Sequence, residues 1–178
     1  MKNVWLLPVF FLISVSCEKK NQPLFELLSP DASGITFNYE VIDDDSINVL
    51  EFTYFYNGGG VGIGDVNNDG LSDIYFTGNM VSSKLYLNKG NLIFNDITES
   101  AGVGTDCWAR GVAMVDINTD GLLDIYVSVS GTPNTDNHSN LLFINQGMNA
   151  SGQPTFKEQA QAYGLADTAH TTQTAFFD

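Results

Sequence analysis

The chain has 178 residues, 21 of them acidic against 7 basic, for a formal net charge of −14. That field repels phosphate backbones and excludes nucleic acid as a partner. Two cysteines, one of them in a leader-like segment, leave Cys107 without an intramolecular disulfide partner, so stability has to come from packing or metal.

At the N-terminus Lys2 precedes an apolar run from Val4 to Ser16, followed by Cys17 and Glu18-Lys19-Lys20. The run is shorter than the roughly 20 residues a membrane-spanning helix needs and has the form of a signal peptide over 1–17. Ser14-Val15-Ser16-Cys17 resembles a lipobox, which makes Cys17 the lipidated first residue of the mature chain. The expectation is an exported protein held to the cell envelope, at the outer membrane or cell surface, through a lipid anchor.

Residues 18–57 are expected to form N-terminal strands and a linker. Within them 36–57 is the least repetitive stretch and reads as strand, acidic turn at Asp43-Asp44-Asp45, strand. Its aromatics Phe52, Tyr54, Phe55 and Tyr56 fit core or inter-blade packing better than a ligand platform.

From residue 58 the chain repeats itself. GIGDVNNDGLSDIYFTG at 62–78 aligns with AMVDINTDGLLDIYVSVS at 113–130, pairing Asp65 with Asp116 at an offset of 51. KLYLNKG pairs with LLFINQG, Asn88 meeting Asn145 at an offset of 57, and FNDITESAGV pairs with FKEQAQAYGL at an offset of 62. The last offset carries Asp116 to Asp178, so 58–108 and 109–170 are two repeats and 171–178 is the opening of a third, cut off in a chain read as truncated. Each unit holds four short apolar runs punctuated by Gly and Asn, which predicts four antiparallel strands and no long helix. The segment 157–165 is expected to make at most a capped turn ending at Gly164. All-β propeller blades are the architecture such units imply, with a repeated sandwich as the alternative.

The pattern Asp-x-Asn-x-Asp-Gly-x-x-Asp occurs at 65–73 and again at 116–124. Such clusters suit Ca2+, a hard cation that takes several oxygen ligands, and the glycine at position six allows the sharp turn that lets them converge. The expected ligands are Asp65, Asn67, Asp69, Asp73 and the Leu71 carbonyl, then Asp116, Asn118, Asp120, Asp124 and the Leu122 carbonyl. An EF-hand needs an acidic residue at position twelve, where this chain has Phe76 and Val127. Magnesium prefers fewer protein ligands, and zinc wants His or Cys. His138 and His170 read as isolated loop residues, Cys107 as a small buried hydrophobe, and the glycines at 58–60, 62 and 64 as places of tight strand packing.

The Gly/Ala-x-x-Asp-x-Asn-x-Asp-Gly-x-x-Asp unit, over about residues 25–178, resembles the FG-GAP or VCBS repeat family. Its Phe-x-x-Ile/Leu…Ala/Ser-Gly-Ile/Val elements and leader further resemble bacterial surface lipoproteins of the ASPIC/UnbV type. The resemblance implies propeller blades with calcium in the two loops, Asp178 as an incomplete third, and no catalytic residue. The function expected is a non-catalytic calcium-binding module of adhesion, glycan or protein binding, with an extracellular protein or glycan as ligand. A propeller-type polysaccharide-active enzyme with a calcium-dependent site, and a purely structural scaffold, are the alternatives.

Overall fold

The structure, a computed structural model, describes residues 23–131 and 139–177. Cys17, His138 and Asp178 lie outside them. A single helical turn, α1 (Pro30–Ser33), precedes two four-stranded antiparallel meanders. The first is β1 (Val61–Gly64), β2 (Asp73–Phe76), β3 (Lys84–Asn88) and β4 (Phe94–Asp96), followed by the turn α2 (Thr98–Ala101). The second is β5 (Ala109–Val115), β6 (Asp124–Val129), β7 (Leu141–Met148) and β8 (Pro154–Glu158), followed by α3 (Ala160–Tyr163). All eight strands fall on the repeated apolar runs, and α3 is the short turn expected, closed by Gly164 at φ 70°.

Period-two alternation sorts the side chains of the second sheet between two clusters. Ile125, Val127, Val129 and Phe143 join Tyr75, Leu85, Leu87 and Ile97 of the first sheet in one core. From the opposite face Tyr126, Leu142 and Ile144 pack with Ala160, Leu165 and Phe176. Because both faces of β6 are covered, all six of its residues are buried. Each fully buried aliphatic side chain in the shared core contributes about 1.5–3 kcal/mol. The blades therefore hold each other.

β1 lies directly against β5, and glycine is what permits the approach. A Cβ at Gly62 would stand 3.1 Å from Val112 Cγ2, and one at Gly64 2.7 Å from both Leu123 Cδ1 and Met114 Sδ. Two successive meanders packed face to face, with their first strands side by side, are consecutive blades of a partial all-β propeller. No closed barrel forms among the described residues.

Residues 36–57 depart from the expected strand, turn, strand: no strand forms there. The acidic turn exists, but Asp44 Oδ1 accepts the N–H groups of Ser46 at 2.7 Å and Ile47 at 2.8 Å. Asn48 Oδ1 likewise accepts those of Leu50 and Glu51 at 2.9 and 3.2 Å. Side chains bonding nearby backbone compete with a strand ladder and here they win. Of the four aromatics, Phe52 and Phe55 are buried against Trp108, as packing predicts, whereas Tyr54 and Tyr56 are exposed.

Candidate functional site

The aspartate loops join β1 to β2 and β5 to β6. Gly64 pairs with Asp73 and Val115 with Asp124, so each loop starts and ends on neighbouring strands, about 5 Å apart. In between, Asn68 and Gly70 take φ 56° and 84°, and Thr119 and Gly121 take 58° and 86°. Two left-handed steps within three residues coil the chain back on itself.

The coil is held by the side chains the motif specifies, and the two loops agree bond for bond. Asp65 accepts the Asp69 N–H at 3.1 Å on Oδ1 and the Gly70 N–H at 2.7 Å on Oδ2; Asp116 accepts those of Asp120 at 3.0 Å and Gly121 at 2.9 Å. Asn67 Nδ2 donates to Asp69 Oδ2, and Asn118 Nδ2 to Asp120 Oδ2, both at 2.9 Å. Leu71 and Leu122, just past the glycines, donate their N–H groups to Asp69 and Asp120 at 2.9 Å.

The aspartate at position nine behaves differently. Asp73 and Asp124 are fully buried. Asp73 accepts the N–H groups of Val66 at 2.9 Å and Asn88 at 2.8 Å; Asp124 accepts those of Ile117 at 3.0 Å and Asn145 at 2.8 Å. Each carboxylate thus ties its loop to the third strand of its blade. Burial pushes both carboxyls above the usual range, the two N–H bonds pull them back, and the charges of Asp69 and Asp65, or Asp120 and Asp116, push them up again.

Asn88 and Asn145, not singled out from sequence, complete the arrangement. Asn88 Nδ2 donates to the Ser72 carbonyl at 2.9 Å, whereas Asn145 Nδ2 reaches Leu123 O at 3.1 Å and, across the blades, Val66 O at 2.8 Å. Asn68 Nδ2 donates to Gly121 O at 3.0 Å, linking one loop to the other. The signal for Asn88 and Asn145 was their identity at matched repeat positions.

Every predicted side-chain donor is oxygen-bearing, a set that suits Ca2+ and not zinc. Among the described residues the ion pair is Lys84 with Asp96 at 3.0 Å, so none of the six loop carboxylates has a cationic side chain beside it. Nor are three or more His, Cys, Asp or Glu side chains gathered among those residues into a group that could hold a metal. Asp69 and Asp120 stand exposed while Asp73 and Asp124 are turned into the sheet. Asp65 and Asn67, Asp116 and Asn118 lie half-buried between them.

Cys107 is buried, and its thiol is pushed up to about 11 by burial and the neighbouring Asp106 charge, in keeping with a packing role. His170 is an exposed loop residue whose Nδ1 meets the Ser130 carbonyl.

Residues 50–127 match the model of an FG-GAP-like repeat. The chain is also similar to cartilage acidic protein 1 of Xenopus tropicalis, at 35% identity over 127 residues. The alignment covers 69% of this chain but 18% of that protein.

Proposed function

Residues 50–127 belong to the FG-GAP-like repeat family, and from that premise we propose that the chain is a non-catalytic, calcium-binding repeat module of an exported protein anchored to the cell envelope. Its blades would serve adhesion by meeting an extracellular protein or glycan. The observation that carries the metal is the pair of loops with one hydrogen-bond plan, each carrying three aspartates along one short motif with no cationic side chain beside them. Mutual repulsion of those carboxylates costs stability that a divalent cation restores.

In this reading Asp65, Asn67, Asp69 and the Leu71 carbonyl hold one ion, and Asp116, Asn118, Asp120 and the Leu122 carbonyl a second. Asp73 and Asp124 have both oxygens on backbone N–H groups and still keep lone pairs for the cation. The ion supplies charge neutralisation and the protein supplies the pre-coiled loop. Export rests on the leader-like residues together with a relative whose name places it in cartilage, and the Cys17 anchor rests on the lipobox-like residues alone. An ASPIC/UnbV-type parent is the narrower form of the same proposal.

Calorimetric titration of the chelator-stripped chain with calcium tests it. Two ions per chain and a higher melting temperature are expected. A folded chain that takes up no calcium would overturn the metal assignment.

A further inference from the structure

The first strands of the two blades, and the segment after α3, start side by side at the end of β5 remote from its aspartate loop. A Cβ at Gly60 would stand 2.7 Å from the Arg110 carbonyl, and one at Gly111 2.6 Å from that of Thr172. β5 has seven residues, which sets this end roughly 20 Å from Asp116. Gly59, Arg110 and Thr172 occupy one repeat position, by the offsets of 51 and 62. A blade therefore does not need arginine there.

Arg110 is only 4% exposed. Its Nη1 donates to the Asn57 carbonyl at 2.5 Å and its Nη2 to that of Tyr54 at 2.6 Å, and the guanidinium lies 5.8 and 5.7 Å from the rings of Phe52 and Trp108. Carbonyl dipoles and ring faces orient the cation without neutralising it. Among the described residues no carboxylate pairs with it, and its Nε and the Trp108 Nε1 lack hydrogen-bond partners. A buried charge without a counter-ion is costly, and each Nη still keeps a second N–H.

A cavity of about 230 Å³ opens on this group, lined by Tyr54, Asn57, Arg110, Ser130, His170 and Thr172. That is below the roughly 300 Å³ at which sites for drug-sized ligands begin, so it suits one small ring. Residues bearing hydroxyl, amide, imidazole and guanidinium groups line it, together with Tyr54, an aromatic residue that is 60% exposed. The chain's net charge of −14 disfavours a polyanion, whereas a single carboxylate can dock on the fixed cation.

We propose that this cavity binds one uronic-acid residue of a glycan, its carboxylate on Arg110 and its ring against Tyr54. The site uses none of the aspartate loops and stands independently of the calcium reading. The test is calorimetric titration of the 178-residue chain, at fixed calcium, with methyl glucuronide, methyl glucoside and acetate. The glucuronide is expected to bind at least tenfold more tightly than either of the others. Thr172→Trp, which fills the cavity from an exposed position and leaves both Arg110 carbonyl bonds in place, is expected to abolish binding while the melting temperature holds. Glucuronide and glucoside binding alike, acetate matching the glucuronide, or no saturable heat from chain that melts cooperatively would each overturn the proposal. Unimpaired binding by Thr172→Trp would do the same.

Discussion

Asp120 and Asp124 belong to one motif, yet their surroundings give them separable jobs. Asp120 is exposed, and its carboxylate serves the loop's own turn; Asp124 is fully buried, and its two oxygens satisfy the N–H groups of Ile117 and Asn145. Truncating Asp124 to alanine leaves two donors unpaired, each worth about 1–3 kcal/mol when buried. Asp124→Ala is therefore expected to lose about 2–4 kcal/mol in denaturant unfolding even with chelator present. Asp120→Ala is expected to lose little in chelator but much of the stabilisation that calcium confers. If both variants behaved alike in chelator, the division between staple and ligand would fail. Cys107 gives a second check at this scale. With its thiol pushed up to about 11, the native thiolate fraction at pH 8 is about a thousandth. In a Cys17→Ser background, which leaves Cys107 as the one thiol, alkylation by iodoacetamide should be slow in the folded chain and rise at least tenfold in denaturant. Fast labelling of the native chain would mean that Cys107 is not packed as described.

Strand against strand, the decisive residues are the glycines of β1 and its approach, and they are not equivalent. At Gly60 an added methyl would meet the backbone carbonyl of Arg110 at 2.7 Å. At Gly64 it would meet the ends of the Leu123 and Met114 side chains, also at 2.7 Å, and these can swing aside. Gly60→Ala should therefore cost about 1–3 kcal/mol, the range of overpacking, and Gly64→Ala clearly less, as read from the midpoints of urea unfolding. An equal loss in both would mean that the blades do not approach through backbone at Gly60. The strands themselves were legible because alternation, repeated twice at matched positions, marks the same four runs in each blade. The loops were legible for a similar reason, since the Asp, Asn and Gly at fixed spacing are the residues that coil the backbone. Residues 36–57 misled because their apolar content suggested strands, while Asp44 and Asn48 offered the backbone nearer partners. Arg110 was illegible as a site residue because nothing in its local pattern announces a cavity assembled from Tyr54, Ser130 and Thr172, which are far apart in the chain.

Across the whole molecule, one core is shared by two blades and a bond crosses between them. Tyr75 and Leu87 pack in the same cluster as Ile125 and Phe143, and the Asn145 side chain donates to Val66 O at 2.8 Å. Neither blade can lose its partner without exposing that core, which predicts a single cooperative unfolding transition instead of two. The 52–57 turns join the same unit, because Phe52 and Phe55 pack on Trp108, just before β5, and Arg110 clamps the Tyr54 and Asn57 carbonyls. Trp108 fluorescence in a Trp5→Phe background and far-ultraviolet circular dichroism should therefore report the same melting temperature. Calcium acting at both loops would raise the two readings together. Loss of the tryptophan signal well below the loss of strand signal would show that the aromatic cluster opens first, and that the Arg110 end is a separately melting part of the molecule.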